Sequence, residues 1–292
     1  MNKSNIRTLG LIQQTRGQDI DQNIESTIKA VRNATKEGAQ IICLQELFRS
    51  QYFCQTKEPN KFNLAETIPG PSTKVLSKLA EELKIVIILP LFEKRAQGIY
   101  HNTAVIIDAD GSMAGYYRKM HVPDDPYFYE KFYFTPGDTG FKSFQTHYGR
   151  IGVLICWDQW FPEAARLIAL SGAEILFYPT AIGYQDKDEP ELKKQAAAWE
   201  TVQKAHAISN GIFIAPVNRV GRENALTFWG RSFVCDPFGE IIAQASNNNS
   251  ENLIVECDIS KIDKIRHDWP FLRDRRTDAY QKLTKIYDDS ST

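Results

Sequence analysis

The chain lacks the features that define a membrane protein or a nucleic-acid-binding protein. Its longest apolar stretch, Ile85 to Phe92, is interrupted by Pro90 and is far shorter than the roughly 20 residues that cross a bilayer. The 35 Lys and Arg residues nearly cancel the 36 Asp and Glu residues. Because no overall positive charge is present to attract a polyanion, we expect neither a nucleic-acid partner nor a membrane partner.

The sequence is also poor in cysteine, and its cysteines follow no disulfide or metal pattern. The apolar run that begins at Ile6 stops at Ile12, which is too short for the core of a signal peptide. An odd number of cysteines, with no CxxC pair and no clustered His or acidic ligands, favours free thiols and argues against a metal site. We therefore expect a cytoplasmic protein without a metal. The five cysteines are Cys43, Cys54, Cys156, Cys235 and Cys257.

What the sequence does contain is an ordinary globular composition and an alternation of strand and helix patterns. Hydrophobic residues make up 42% and charged residues 24%, which excludes a disordered chain. Apolar runs such as Ile41–Leu44 alternate with apolar residues at helical spacing. Asp110-Gly111 predicts a hairpin between the strands Asn102 to Asp108 and Ala114 to Arg118. No linker or repeat interrupts the pattern. We predict one domain over residues 1–292, with helices outside sheet layers and an appended C-terminal arm from about 259.

The strongest local feature surrounds Cys156. A predicted strand, Gly149 to Ile155, delivers this cysteine to a turn, and Pro162 begins a helix a few residues later, an order comparable to that of nucleophile elbows. In such a turn we expect an exposed thiol beside backbone N–H groups that favour the nucleophilic thiolate. A single cysteine is also often an inert core residue, so both interpretations stay open at this point.

A thiol nucleophile needs a base, and the sequence offers more than one candidate. None of the five histidines is singled out by its pattern, although His121 could pair with the thiol. Glu46 is better placed because, like Cys156, it ends a predicted buried strand, and strand carboxyl ends gather in α/β sites. Lys119 follows the strand Ala114–Arg118 and could stabilise an oxyanion. Taken singly, it is more typical of a solvated surface lysine.

Three sequence blocks contain these residues: IICLQE with Glu46, YYRKMH with Lys119 and GVLICWDQWFPEAAR with Cys156. They resemble the three signature blocks of the nitrilase (carbon–nitrogen hydrolase) superfamily. The longer blocks YEKFYFTPGDTGFKSFQT and GAEILFYPTAIG most resemble its N-carbamoylputrescine amidase branch, in order along nearly the whole chain. The resemblance implies an α/β fold of the nitrilase type, a four-layer α-β-β-α sandwich. It also implies a Glu-Lys-Cys triad, no cofactor, and self-association into a homo-oligomer between a dimer and an octamer.

The resemblance also implies an activity, the hydrolysis of N-carbamoylputrescine to putrescine, carbon dioxide and ammonia in polyamine biosynthesis. Cys156 would be the nucleophile and Glu46 the base, while Lys119 and the backbone N–H of Trp157 would stabilise the oxyanion.

Two further residues match family positions around the triad. Glu130 matches the second active-site glutamate, which orients the lysine and contacts the substrate nitrogen. Tyr52, in QYFCQ, matches a pocket-lining position. From its own pattern, Glu130 is equally typical of a surface salt bridge.

The alternative substrates differ in the charge of the end that is distant from the reacting carbonyl. An ammonium calls for acidic or aromatic partners, whereas the carboxylate of N-carbamoyl-β-alanine calls for Arg or Lys. The loop after the PTAIG block is net acidic, which favours the amine. Related amidases carry an acidic residue near the position of Gln185, so Gln185, Asp186 and Asp188 are the candidates, with Glu189 a further one. A β-ureidopropionase-type or broad ω-amidase, and a non-catalytic scaffold that would have lost a triad residue, are the alternative functions.

Overall fold

The computed structural model describes residues 5–185 and 189–288, apart from the side chains of residues 189–192. The strands are β1 (Ile6–Gln13), β2 (Ile41–Leu44), β3 (Val86–Ala96), β4 (Ile99–Ile107), β5 (Met113–Arg118), β6 (Ser143–Thr146), β7 (Gly149–Val153), β8 (Ile175–Thr180), β9 (Gly183–Tyr184), β10 (Phe213–Asn218), β11 (Val220–Glu223), β12 (Leu226–Trp229), β13 (Phe233–Cys235), β14 (Ile241–Gln244) and β15 (Glu251–Asp258). The helices are α1 (Ile20–Lys36), α2 (Pro71–Leu83), α3 (Glu130–Tyr133), α4 (Pro162–Leu170), α5 (Glu189–Asn210) and α6 (Ser260–Asp268).

Two six-stranded sheets form the centre of the molecule. The first sheet has the order β15-β1-β2-β3-β4-β5, and the second has the order β14-β13-β10-β8-β7-β6. In each sheet three neighbouring strands run parallel, β1, β2 and β3 in the first and β7, β8 and β10 in the second, with antiparallel strands on both sides. The parallel strands of each sheet therefore end along one edge, where polar side chains can meet.

The alternation of side chains along β2 shows how the layers form. Ile41 and Cys43 join the core cluster that includes Val153 of the second sheet, whereas Ile42 and Leu44 pack in a separate cluster that also contains residues of α1 and α2. Successive strand residues point to opposite faces, so one face meets the other sheet and the other meets the helices. Helices α4 and α5 cover the outer face of the second sheet. The predicted four-layer α-β-β-α sandwich is confirmed.

Strand β3 is longer than the sequence predicts. The apolar run indicates a strand that ends at Leu89, but β3 continues through Pro90 to Ala96 and pairs with β4 along this length. Its pairing with β2 stops at Ile88. Because a proline cannot donate to a ladder, it is tolerated here only where β3 has lost that neighbour.

The chain beyond β15 begins with α6, close to the position where the sequence predicts an arm. Trp269, Phe271 and Leu283, in the segment after this helix, are exposed. Within the described ranges, no helix combines the length and the apolar character needed to span a membrane.

Candidate active site

The structure brings Glu46, Lys119 and Cys156 together at the edge where the two sheets meet. Glu46 follows β2, Lys119 follows β5, and Cys156 follows β7 of the opposite sheet. The ammonium of Lys119 donates a hydrogen bond to Oε1 of Glu46 at 2.8 Å. Each of the three residues is buried, and the charges of Glu46 and Lys119 both act on the Cys156 thiol. Residues that are distant in sequence therefore share one water-poor site.

The two carboxylate oxygens of Glu46 have different surroundings. Oε1 accepts hydrogen bonds from Lys119 and from Nδ2 of Asn102, the latter at 2.7 Å. Oε2 is buried and has no hydrogen-bond partner among the described residues. A buried acceptor without a partner is uncommon and costly. Oε2 is therefore the carboxylate atom available to accept a proton.

Lys119 lies between two carboxylates. Its ammonium donates to Oε2 of Glu130 at 2.6 Å, in addition to its bond to Glu46. Burial alone would lower the pKa of Lys119, but the charges of Glu130 and Glu46 raise it well above its ordinary value. Lys119 is thus a fixed cation and not the solvated surface lysine that its local sequence allows.

Glu130 is fully buried and is not a surface salt-bridge partner. Its Oε1 accepts a hydrogen bond from the hydroxyl of Tyr52 at 2.7 Å, while Oε2 faces Lys119. Burial raises the pKa of Glu130 to about 7, although the nearby Lys119 charge opposes the rise. Burial also raises the pKa of Tyr52 well above its usual value, so the phenol stays a donor.

The turn at Cys156 has the geometry of an elbow. Strand β7 ends at Val153, two residues earlier than predicted, and a 3₁₀ helix runs from Cys156 to Trp160. Cys156 itself has φ of 44°, in the left-handed region that a residue with a Cβ rarely adopts. The N–H of Trp157 lies in the first turn of this helix, where helical N–H groups lack an intrahelical acceptor.

The expected exposure of the thiol is wrong. Cys156 is only 6% exposed, and burial, together with the charge of Glu46, raises the pKa of its thiol well above the ordinary value. Lys119 and a backbone hydrogen bond from Ala181 lower it by less. The resting thiol is therefore protonated, because the desolvation that follows from packing between two sheets outweighs the backbone dipoles of the turn. Its chemistry requires a base.

Asp158, which was not predicted from the sequence, links the turn at Cys156 to the chain that follows Lys119. One oxygen, Oδ2, accepts hydrogen bonds from the backbone N–H of Ile155 and from the hydroxyl of Tyr117, each at 2.8 Å. The other, Oδ1, accepts from the backbone N–H of His121 at 3.0 Å. This buried carboxylate therefore fixes the position of Cys156 relative to Lys119.

His121 is not placed as a base for the thiol. Its Nδ1 lies 2.8 Å from Oδ1 of Asp158. Its ring stacks on Phe161 with 3.7 Å between ring centroids. The ring of His121 therefore contacts Asp158 and Phe161, and Glu46 remains the candidate for the base.

A second buried pair, Arg219 and Glu223, holds the chain that leaves Glu46. The guanidinium of Arg219 donates to the carbonyls of Glu46 at 2.9 Å and Leu47 at 3.0 Å, and to Oε1 of Glu223 at 2.7 Å. Oε2 of Glu223 accepts from the backbone N–H of Tyr52 at 2.6 Å. The backbone groups that Arg219 and Glu223 hold lie between 171 and 173 positions earlier in the chain, and no local sequence signal indicates these contacts.

A cavity of about 460 Å³ opens onto Cys156 and Glu130. Trp157 and Gln185, two of the predicted substrate-binding residues, line it. Tyr52 lines a neighbouring cavity, and its hydroxyl donates to Glu130. Asp186, Asp188 and the side chain of Glu189 lie outside the described residues. Among the described residues, the cavity lining includes neither Lys nor Arg.

Aromatic, aliphatic and acidic residues make up most of the remaining described lining. The rings of Phe128, Trp160 and Tyr184 form much of the wall, and β9 and β12 of a small three-stranded sheet border it. Strand β9 has only two residues, too few to produce a strand pattern in the sequence. Asp125 also lines the cavity and was not among the predicted binding residues. Among the side chains described, no group of three or more His, Cys, Asp or Glu is arranged to hold a metal ion.

Comparison with known proteins defines the class to which this fold and site belong. A family model described as carbon-nitrogen hydrolase matches residues 8–267, and the chain belongs to this family of hydrolases, which act on C–N bonds. An N-carbamoylputrescine amidase from Solanum lycopersicum is 44% identical over 97% of each chain. A citrullinase from Francisella tularensis is 40% identical over 91% of this chain and 94% of its own. A carbon-nitrogen hydrolase from Helicobacter pylori superposes with a TM-score of 0.94 at 46% identity, over 97% of this chain and all of the other.

Proposed function

We propose that the protein hydrolyses N-carbamoylputrescine to putrescine, carbon dioxide and ammonia. The observation on which this proposal rests is the cavity beside Cys156. Its described lining includes aromatic rings and two carboxylates but no basic side chain. Such a lining suits a substrate whose distant end is an ammonium. The similarity to plant N-carbamoylputrescine amidases over nearly the full chain supports the same substrate.

The first half of the reaction forms a thioester. Glu46 takes the thiol proton as the sulfur of Cys156 attacks the carbamoyl carbon, and the carbonyl oxygen becomes an oxyanion. Lys119 and the backbone N–H of Trp157 stabilise that charge. Glu46 returns the proton to the terminal nitrogen, the C–N bond breaks, and ammonia leaves.

The second half of the reaction releases the products. Glu46 removes a proton from water, and the hydroxide attacks the thioester carbon. The thiolate of Cys156 leaves and regains the proton, and the released carbamate decomposes to carbon dioxide and putrescine. Because the same carboxylate acts in both halves, the unpartnered Oε2 of Glu46 suits either proton transfer.

Glu130 and Tyr52 act in this scheme through Lys119. Glu130 holds the lysine ammonium at a fixed position, and the hydroxyl of Tyr52 fixes the Glu130 carboxylate in turn. We therefore assign Tyr52 a positioning role in place of the direct substrate contact expected from its family position.

The closest alternatives share the reaction and differ in the substrate tail. Citrulline presents the same ureido group with an amino acid at its other end, and N-carbamoyl-β-alanine presents a carboxylate. Lys and Arg bind a carboxylate most strongly, and the described lining of the cavity includes neither. A broad ω-amidase would accept several tails, and a scaffold would accept none.

Ammonia release from three substrates tests the proposed function. We expect release from N-carbamoylputrescine, and at least about tenfold lower kcat/KM for citrulline and for N-carbamoyl-β-alanine, because their carboxylates would lie near the negative charge of Asp125 and would meet no Lys or Arg on the described cavity wall. A preference for citrulline would instead assign the protein the activity named for its Francisella relative. No release from any of the three would contradict the proposal.

Turnover should decrease as the pH falls through about 7. The raised pKa of Glu130 means that this carboxylate gains a proton near that pH and then no longer holds the Lys119 ammonium by charge. At lower pH, kcat/KM should fall by up to about tenfold per pH unit. Pre-equilibrated assays across this range measure the effect, and Glu130→Gln should remove the pH dependence while lowering the rate. A wild-type profile that stays flat through neutral pH would exclude this role.

We also propose that the chain forms a homo-oligomer. Leu167 and Leu170 of α4 are exposed, as are Trp269 and Phe271 beyond α6. Exposed apolar side chains at two sites on the surface support self-association, because burying them against another copy would remove them from water.

The cytoplasm is the compartment we propose. All five cysteines are free and buried. Free thiols are typical of proteins in a reducing environment, where disulfides are rare.

A further inference from the structure

We propose that Asp125 is the residue that recognises the cationic end of the substrate. The inference rests on the proposed function and goes beyond it, because it assigns substrate selection to a carboxylate outside the catalytic residues. It also differs from the expectation that the acidic loop after Tyr184 performs this role.

Among the described lining residues of the cavity, one charged group is free to meet a ligand. Of its described lining residues, only Asp125 and Glu130 carry a charge at neutral pH. Both oxygens of Glu130 are already engaged, one by Tyr52 and the other by Lys119. The carboxylate of Asp125 makes no hydrogen bond or ion pair with the side chains and backbone that the structure describes. Its oxygens can therefore accept hydrogen bonds from a ligand ammonium.

The two carboxylates differ in their exposure to solvent. Glu130 is fully buried beside Lys119, whereas Asp125 is exposed to solvent. Asp125 and Cys156 both line this cavity. A linear substrate with its carbamoyl group at Cys156 can therefore extend its other end toward the exposed Asp125.

The loop that carries Asp125 is held in a tight turn. The backbone N–H of Phe128 donates to the carbonyl of Asp125 at 2.8 Å, Pro126 occupies the second position, and Tyr127 has φ of 66°. Proline followed by a residue with positive φ is typical of a type II turn. The turn thus fixes Asp125 at the rim before a ligand binds, which lowers the entropic cost of recognition.

Aromatic rings line the cavity that contains both Cys156 and Asp125. Phe128, Trp157, Trp160 and Tyr184 all contribute to the wall. Such rings pack against a methylene chain and attract a cation. The lining therefore favours an alkyl chain with an ammonium at its end, in agreement with a carboxylate at the rim.

The test compares substrates that share the ureido group and differ in tail charge. These are N-carbamoylputrescine, the neutral butylurea and the anionic 4-ureidobutyrate. For Asp125→Asn we expect about a tenfold lower kcat/KM with N-carbamoylputrescine, mostly through KM, and less than about a twofold change with butylurea. Asp125→Lys should lower kcat/KM with N-carbamoylputrescine further and raise kcat/KM with 4-ureidobutyrate.

Asp124→Asn is the matched control. Asp124 is the neighbouring exposed aspartate and does not line the cavity, so this variant should keep the wild-type values with all three substrates. If Asp125→Asn behaves like Asp124→Asn, or lowers both the cationic and the neutral substrate equally, the assignment of Asp125 is overturned and the proposed function stands. A wild-type enzyme that is inactive on N-carbamoylputrescine overturns both.

Discussion

Replacing Cys156 with alanine should reduce ammonia release from N-carbamoylputrescine by at least about 10⁴-fold, to the background of the assay. Without the sulfur no thioester can form, and Glu46 and Lys119 have no nucleophile to activate. Cys156 sits at positive φ in a turn held by Asp158, and alanine keeps the Cβ there, so the variant should fold. Steady-state ammonia assays and circular dichroism measure the two properties separately.

Cys257→Ala is the control for the loss of a buried thiol. Cys257 lies in β15 and is as deeply buried as Cys156, but it is not among the residues that line the cavity. This variant should retain turnover. A folded Cys156→Ala protein that keeps a measurable fraction of the wild-type rate would remove the thiol from the mechanism.

Glu46→Gln should lower kcat by about 10³-fold, because an amide of the same shape cannot take the thiol proton. The raised pKa of Cys156 makes this step necessary, since little thiolate is present at rest. Single-turnover measurements should show that both thioester formation and thioester hydrolysis become slower. Lys119 should stay charged in the variant, because Glu130 remains beside it.

A surface glutamate provides the comparison for Glu46. Glu256 lies exposed on β15, and Glu256→Gln should change kcat by less than about twofold, as is usual for surface substitutions. If Glu46→Gln slowed only the release of product and left thioester formation at the wild-type rate, another group would have to be the base in the first half of the reaction.

Much of the fold could be predicted from the sequence, because its signals are local. The apolar run Ile41–Leu44 matches β2, and the residues at helical spacing from Ile20 match α1. Pro162 begins α4 as predicted. In each case the sequence pattern shows which face of the element is buried, and that burial determines whether a helix or a strand forms.

The parts of the fold that were missed depend on neighbours distant in sequence. Strand β3 extends through Pro90 because β4 pairs with it, and β9 exists because Phe228 and Thr227 of β12 pair with its two residues. Neither pairing produces a recognisable pattern of apolar residues in the strand itself. Local propensity alone therefore predicted the wrong end for β3 and no strand at β9.

The candidate site shows the same division. Glu46, Lys119 and Cys156 stand at the ends of predicted strands, and the family resemblance supplied the reason to group them. Asp158 and Arg219 could not be selected from the sequence, because their importance comes from hydrogen bonds to distant backbone groups. The state of the thiol was predicted incorrectly, since a turn pattern reports nearby N–H groups but does not report the desolvation around them.

The active site lies across the seam between the two sheets. Glu46 and Lys119 come from one sheet and Cys156 from the other, so neither sheet alone holds both the proposed base and the proposed nucleophile. A slip of about 1 Å along this seam would leave every strand intact, yet a misplacement of that size can cost about 10²-fold in rate. The catalytic rate is therefore a more sensitive gauge of the alignment of the two halves than any spectroscopic measure of secondary structure.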